Sequence, residues 1–217
     1  MLLVKMAKRA IIIMLGTLTV LYGVAEVAAK KYGEKALAQY AAEKDPLATN
    51  AQAQISFPII FGILSRNTID RVEISTNHVE IRGIVADKTT AVLTGVHLDR
   101  AASLRDREPV IESIDRLDMS IEIRQEELSK RLPQGLGFVF TPGIVTLTGP
   151  GFAVEGSLKV TAPGVIDFDG TLPRGLKPPS LDLGDLPFVT CIREINIGPG
   201  VVTITCSLEN PPSKFPP

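Results

Sequence analysis

Residues 117–124 read Leu-Asp-Met-Ser-Ile-Glu-Ile-Arg, and residues 152–160 read Phe-Ala-Val-Glu-Gly-Ser-Leu-Lys-Val. In both stretches large apolar side chains alternate with polar or small ones, so in an extended chain they would all point to one face. This period of two is typical of antiparallel strands that have one buried and one solvated face. The two stretches therefore predict the centre of a mostly antiparallel β domain.

Shorter alternating runs at 72–74 and 79–81 extend the pattern toward the N-terminus, and Pro/Gly turns separate further strands. Those strands are expected near residues 89–98, 138–148, 165–172, 179–183, 188–197 and 200–208. Two short helices are expected inside the domain, near Phe57–Leu64 and Arg124–Leu132. Because so few helices cannot cover eight or more one-faced strands, the sheet must curl on itself or form a second layer. We predict an α+β fold, mostly antiparallel β, with a strongly curved sheet wrapped around few helices after an N-terminal hydrophobic helix.

The inner face of such a sheet would be aliphatic, because 45% of the residues are hydrophobic, 5% are aromatic and Trp is absent. A curled sheet with this lining would enclose a groove suited to acyl chains, although a filled β-sandwich core would give the same alternation. Phe57–Leu64 is then either a lid over the groove or a helix that plugs one end of the core. The candidate lipid-binding residues are Phe57, Ile59, Ile60, Phe61, Ile63, Leu64, Val72, Ile74, Leu117, Met119, Ile121, Phe152, Val154 and Leu158.

The N-terminal segment is the most apolar part of the chain. Lys5, Lys8 and Arg9 precede Ala10–Ala25, sixteen residues without a charge. Continuation through Glu26 to Ala29 gives about the 20 residues of a bilayer-spanning helix, with the carboxylate near the far interface. The segment fits a cleaved export signal and an uncleaved anchor equally well. We assign residues 1–30 as a signal peptide or signal anchor, 31–46 as a helical connector, 47–209 as the curved β domain and 210–217 as a Pro-rich tail.

The charge balance argues against a nucleic-acid partner. The chain has 23 Lys and Arg against 24 Asp and Glu, a net charge of −1, whereas binding to a run of phosphates needs a basic surplus. Six of these basic and two of these acidic residues lie in residues 1–35, so residues 36–217 hold 17 and 22, a net charge of −5. The expected partners are a phospholipid or other acyl-chain lipid and, through the N-terminal segment, a membrane.

Residues able to perform catalysis near neutral pH are scarce. The two histidines, His78 and His97, lie in strand contexts where a structural role is the ordinary one. The acidic pairs Glu126–Glu127 and Asp167/Asp169 fall on surfaces predicted to face solvent. The sequence has no nucleophile elbow, zinc-protease helix, phosphate-binding loop or Cys/His metal spacing. We therefore expect no catalytic residue, no metal and no cofactor, and a protein that is not an enzyme.

The two cysteines, Cys191 and Cys206, flank a predicted hairpin. With a tight turn at Gly198-Pro199, Ile197 pairs with Gly200 and Cys191 lies directly opposite Cys206, where Cα atoms are about 5.5 Å apart. A disulfide is then geometrically allowed, and an exported location would favour it. Two free thiols that serve as small apolar residues are the alternative, because a loop one residue longer would break the match.

Several short motifs, in this order, resemble a known family. They are Phe57-Pro58-Ile59-Ile60, Ile69–Ile74, Gly95-Val96-His97-Leu98, Leu186-Pro187 and Gly198–Val202, preceded by Glu34 in the helix before the domain. Their order resembles the actinobacterial LmeA-like cell-envelope domain family, which is similar to the tubular lipid-binding (BPI-like) superfamily. The resemblance implies a curved sheet wrapped around a helix, export to the extracytoplasmic face of the plasma membrane or the periplasm, and affinity for phospholipid. It supplies no catalytic residues.

Pattern and resemblance together predict a non-enzymatic phospholipid-binding or lipid-handling protein of the cell envelope, anchored or released, that supports glycolipid or lipoglycan maturation. The alternative is a structural or adaptor module at the membrane surface that binds another envelope protein. The interior distinguishes the two hypotheses, because a filled core without an apolar cavity would favour the adaptor.

Overall fold

The structure is a computed structural model that describes residues 2–44, 49–56, 58–81, 83–106, 110–162, 164–173, 177–182 and 191–211. Its helices are α1 (Leu2–Lys44), α2 (Ile59–Arg66), α3 (Arg100–Asp106) and α4 (Gln125–Ser129). Its strands are β1 (Thr49–Ile55), β2 (Thr68–Ile81), β3 (Ile84–Leu98), β4 (Ile111–Arg124), β5 (Gly137–Thr141), β6 (Ile144–Gly149), β7 (Phe152–Ala162), β8 (Val165–Gly170), β9 (Ser180–Asp182), β10 (Ile192–Gly198) and β11 (Val201–Glu209).

Two antiparallel sheets form the β domain, and one of them is curled into a half-barrel. The six-stranded sheet has the order β1-β2-β3-β4-β11-β10, and the five-stranded sheet has the order β5-β6-β7-β8-β9. The last hairpin of the chain thus returns to pair with β4, and the smaller sheet is formed by the intervening residues. The predicted fold class, α+β with curved antiparallel sheet and few helices, is confirmed.

The run expected near 138–148 is the hairpin of β5 and β6, which reverses at Thr141-Pro142-Gly143, one of the Pro/Gly turns expected between strands, where Gly143 adopts a φ of +78°. Other elements differ from the sequence prediction in their bounds. Helix α2 begins and ends two residues later than Phe57–Leu64, and α4 is shorter than Arg124–Leu132. Strand β1 and helix α3 had no counterpart in the prediction; β1 is an edge strand in which Ile55 alone is fully buried, so its sequence carries little apolar signal.

The main hydrophobic core lies between the two sheets. The alternation in β4 has its predicted result, because Leu117, Ile121 and Ile123 are 4%, 5% and 1% exposed while Met119 is half-buried. The buried members of this core are Ile84, Ala86, Ile121, Ile123, Leu128, Phe140, Val145, Leu147, Ile166, Phe168, Val202 and Ile204. Both sheets contribute to it, so the chain covers its one-faced strands with a second layer in addition to curling one sheet.

A second, smaller core lies at the other end of the six-stranded sheet. Its buried members are Ile55, Ile59, Val72 and Val96, from β1, α2, β2 and β3. Leu37 of α1 also packs against it. Helix α2 is therefore held between α1 and the sheet.

Two carboxylates of α1 fasten this helix to the domain. Glu26 is 4% exposed, and its Oε2 accepts a hydrogen bond from the backbone N–H of Ile59 at 2.8 Å. Pro58, the N-cap of α2, makes no side-chain capping bond, so Glu26 supplies from α1 the acceptor and the negative charge that a helix N-terminus favours. Glu34, eight residues later, accepts the backbone N–H of Ile55 at 3.0 Å. Glu26, which the sequence placed near a membrane interface, is thus turned toward α2.

Replacing Glu26 by Ala is expected to lower the free energy of unfolding by about 2 kcal/mol, because it removes a buried charge-assisted hydrogen bond and leaves the Ile59 N–H without this acceptor. Equilibrium urea unfolding of the full chain measures the loss. Glu43→Ala, at an exposed position of the same helix, is the control and should change stability by less than about 0.5 kcal/mol. Equal unfolding midpoints for the two variants would contradict the capping role.

Within the part of the chain that the structure describes, no helix is both long enough and apolar enough to cross a membrane. Residues 212–217 of the predicted Pro-rich tail and the Leu186-Pro187 motif lie outside the described residues.

The predicted register of the last hairpin is wrong. Ile197 pairs with Val202, not with Gly200, and the turn is Pro199-Gly200. The physical reason is the turn itself: Pro suits the first central position and Gly, here with a φ of +70°, suits the second, whereas Pro is disfavoured there.

The pairing near the turn is thus shifted from the predicted register. A second shift, between Ile192 and Glu194, compensates for it at the far end of the hairpin. Cys191 therefore still arrives beside Cys206, and the two form a disulfide with Cα atoms 5.1 Å apart.

Candidate functional site

A cavity of about 670 Å³ opens beside the main core. Its walls come from the end of α4 and the turns that follow it, from strands β5, β7 and β8, and from the segment 177–181. The lining residues are Leu128, Arg131, Leu132, Pro133, Gln134, Leu136, Phe138, Pro150, Phe152, Leu158, Ile166, Lys177, Pro178, Pro179, Ser180 and Leu181. Most of these side chains are aliphatic, aromatic or prolyl, so the cavity suits an apolar ligand.

Hydrogen bonds hold the α4 wall of the cavity in place. Gln125 Oε1 accepts the backbone N–H of Phe140 at 2.9 Å, and Ser129 Oγ accepts that of Phe138 at 2.9 Å. Helix α4 is thereby attached to β5 through both its first and its last residue. Leu128 between them is 2% exposed and belongs to the main core. The turns after α4 consequently start from a fixed point and form the rim of the cavity.

The opposite wall is formed where β9 meets β8. Ser180 lines the cavity, and its hydroxyl and that of Thr161 hydrogen-bond to Asp167, which holds the pKa of this carboxyl below its usual range. Asp169 pairs instead with Lys159 on β7. Each carboxylate of the pair Asp167/Asp169 therefore joins neighbouring strands, and the two have different partners.

Of the predicted lipid-binding residues whose side chains the structure describes, Phe152 and Leu158 of β7 line this cavity. Val154, between them on the same strand, is half-buried and packs against the main core. Of the predicted residues on β4, Ile121 belongs to that core and Leu117 is buried nearby. Met119 lines a separate cavity of about 340 Å³. The structure thus divides the predicted groove between core and cavity.

None of the predicted residues near α2 whose side chains the structure describes is among those that line the cavity. Ile59 and Val72 are buried in the second core, and Ile63 and Ile74 pack against it. Ile60 is half-buried. Phe57 lies outside the described residues, as do the side chains of Phe61 and Leu64. The burial of Ile59 and the packing of Ile63 favour the interpretation that α2 plugs the core over the interpretation that it is a lid.

Sequence reasoning missed the residues that the turns contribute, among them Leu132, Leu136, Phe138 and Leu181. They follow no period of two or 3.6, so pattern analysis had no basis for grouping them. The available signal was local: prolines at 133, 178 and 179 lie within two residues of a leucine in stretches that are otherwise loop-like.

A row of hydrogen-bonding side chains crosses the surface of the six-stranded sheet. Thr68 Oγ1 lies 3.1 Å from His97 Nδ1, and His97 Nε2 lies 2.9 Å from Asp115 Oδ1. Thr68 Oγ1 also lies 3.0 Å from the carbonyl oxygen of Arg66. The row joins β2, β3 and β4, which is the structural role predicted for His97.

His78 has a comparable place at the edge of the same sheet. Its Nδ1 lies 3.1 Å from Thr49 Oγ1, which links β2 to β1. Both histidines therefore have interstrand partners on exposed or half-exposed surface.

Comparison with known proteins agrees with the resemblance found in the motifs. No curated protein and no solved structure matches the chain significantly. A family model described as LmeA-like phospholipid-binding matches residues 24–207, which include Glu26 of α1 and the sheets of the domain. This match confirms the family resemblance inferred from the sequence. The chain belongs to the LmeA-like phospholipid-binding family.

Proposed function

We propose that this protein binds phospholipid in the cavity between α4, β7 and segment 177–181, and that it does so without catalysing a reaction. The observation that carries the proposal is an apolar cavity of about 670 Å³ in a member of a phospholipid-binding family. Its volume falls within the range of about 300–1,000 Å³ typical of small-molecule sites. The acyl chain would lie against Leu158, Phe152 and the leucines that follow α4.

The interior supports lipid binding over the adaptor hypothesis. An adaptor needs a rigid, filled core, whereas here the aliphatic wall beside Ile166 and Phe138 faces open volume. Of the cavities described, this one has walls of mostly aliphatic, aromatic and prolyl side chains, which favours a role as a site for an apolar ligand.

We further propose that the protein acts outside the cytoplasmic membrane, with residues 1–30 serving as its signal peptide or signal anchor. The disulfide supports export, because such bonds persist in oxidising compartments. The buried Glu26 argues against cleavage after Ala29, which would remove the carboxylate that caps α2, whereas cleavage after Ala25 would keep it. In this setting the bound lipid would serve the maturation of envelope glycolipids or lipoglycans.

Leu158→Trp tests the proposed site. The larger side chain should fill part of the cavity and lower phospholipid uptake about tenfold, because overpacking such a site costs about 1–3 kcal/mol. Uptake is measured by incubating the full chain in detergent with phospholipid vesicles, isolating it again and quantifying extracted lipid by mass spectrometry.

Val160→Trp is the matched control, because Val160 lies two residues further along β7, is 42% exposed and does not line the cavity. It should bind lipid as the unmodified chain does. If both variants load normally while keeping their melting temperatures, the lipid does not occupy this cavity.

A further inference from the structure

The charged residues of the cavity are of one sign. Arg131 and Lys177 line it, both are exposed, and no Asp or Glu is among the lining residues of the described chain. Residues 36–217 carry a net charge of −5, so the cavity is cationic in an acidic body. Arg131 lies just after α4 and Lys177 in the opposite segment, so the two approach the cavity from different walls.

A glycine sets the position of Arg131. Gly83, in the turn between β2 and β3, has a φ of +77°. A Cβ atom added to Gly83 would lie 2.2 Å from Arg131 Nη2 and 3.4 Å from Cζ. The guanidinium therefore lies directly against the Gly83 backbone, in space that any larger residue would occupy. The hairpin turn of the six-stranded sheet thereby supports an arginine of the cavity rim.

We propose that Arg131, placed by Gly83, and Lys177 form the subsite that binds the phosphate of the lipid and selects anionic phospholipids over zwitterionic ones. This inference rests on the proposed function and adds to it the class of lipid. The apolar walls hold the acyl chain in either case. The two cations determine which headgroup is bound with it.

The chemistry of the two side chains matches this role. Guanidinium presents a planar fork of N–H donors that binds two phosphate oxygens at once, and ammonium adds a second, mobile positive charge. Two cationic side chains beside one lipid phosphate leave the subsite with a net positive charge. A zwitterionic headgroup such as phosphocholine brings its own cation into this excess, whereas phosphatidylglycerol does not. Low-dielectric walls beside the charges strengthen the difference.

The selectivity is measured by competition. The full chain in detergent is incubated with vesicles of equimolar phosphatidylglycerol and phosphatidylcholine and isolated again, and the ratio of the two extracted lipids is determined by mass spectrometry. Lipid that remains with Leu158→Trp serves as the blank for lipid held outside the cavity. The unmodified chain should retain phosphatidylglycerol in about five- to tenfold excess, the scale of one screened charge-assisted hydrogen bond.

Arg131→Gln should reduce this ratio to nearly one and lower the amount of phosphatidylglycerol bound, while the total lipid stays above the Leu158→Trp blank. Lys130→Gln is the matched control, because Lys130 is the adjacent cation, is 67% exposed, pairs with Glu127 and does not line the cavity. It should leave the ratio unchanged. Equal losses of selectivity in both variants would mean that general surface charge, and not a subsite, attracts the anionic lipid.

Gly83→Ala tests the support of Arg131 without altering any charge. The new methyl group should displace the guanidinium and lower the ratio about as much as Arg131→Gln does. Gly143→Ala is its control, since Gly143 has a φ of +78°, and therefore the same backbone strain, but open space around its Cβ position. A ratio lowered equally by both glycine variants would show that strain alone is responsible.

The experiment can refute the proposed lipid binding and the phosphate subsite independently. If the unmodified chain carries no lipid above the Leu158→Trp blank, the proposed function itself is wrong. If it carries lipid but with a ratio near one, or with a ratio that Arg131→Gln does not change, lipid binding stands and the phosphate subsite is refuted.

Discussion

Replacing Phe168 by Ala is expected to lower the free energy of unfolding by about 3–5 kcal/mol, the range for removing a buried aromatic side chain. Phe168 is 2% exposed and is the largest of the fully buried side chains. Its ring lies against two glycines, since Cβ atoms at Gly156 and Gly170 would each lie 2.6 Å from it. Its centroid is 6.2 Å from that of Phe138, which lines the cavity. Urea unfolding of the full chain measures the loss.

Enlarging a glycine that contacts the Phe168 ring tests the same packing. Gly156→Ala keeps the ring but places a methyl group 2.6 Å from it and 2.4 Å from the carbonyl oxygen of Asp169, which is backbone and cannot easily move. It should also destabilise, by about 1–3 kcal/mol, as overpacking does.

Val139→Ala is the control for both, because Val139 is 42% exposed and the change should cost less than about 1 kcal/mol. A loss for Phe168→Ala no larger than that for Val139→Ala would mean that the smaller sheet collapses around the missing ring and is not packed as described.

Alternation predicted the strands because their faces are physically distinct. In β4 the residues at 117, 121 and 123 are buried since that strand pairs on both sides and one face covers the main core. Phe168 was not foreseen as the centre of the smaller sheet, although Asp167 and Asp169 beside it follow the same period. Its importance depends on Gly170, two residues along the same strand, and on Gly156, which reaches it only through the pairing of β7 with β8.

The residues of the proposed lipid site were predicted less well than the sheet, because of how the cavity is built. Alternation identifies which side chains turn inward, but a filled core and a cavity wall use the same residue types. Phe152 and Leu158 line the cavity, whereas Val72 and Ile59 belong to a filled core. The rim, with Arg131, comes from turns whose course depends on the tertiary contacts of α4.

The role of Glu26 could not be predicted from the local sequence either. In the sequence it is the first carboxylate after an uncharged run, which indicates a membrane boundary. In the structure it is buried because the N–H of Ile59, 33 residues later, needs an acceptor. Local pattern contains no information on a partner at that distance, so the capping of α2 by α1 was not predictable.

Removing the disulfide is expected to lower the free energy of unfolding by about 3 kcal/mol, because the bond between Cys191 and Cys206 spans 15 residues and constrains the unfolded chain. For a domain of this size that corresponds to a fall in melting temperature of about 6–12 °C. Cys191→Ser, Cys206→Ser and the double variant should lose similar amounts, since each removes the same bond. Thermal unfolding of protein produced in an oxidising compartment, with and without reductant, measures it.

The disulfide also closes the β10–β11 hairpin at the end away from its turn. Pro199-Gly200 sets the pairing from Gly198 to Glu194, and the bond holds the strand after the register shift at Ile192. Non-reducing peptide mapping should therefore show one linked pair. Hydrogen exchange in the double Ser variant should quicken most near Ile192 and least near Ile197. Full labelling of both thiols in native exported protein would refute the bond, while uniform exchange along β10 would show that the turn alone holds the register.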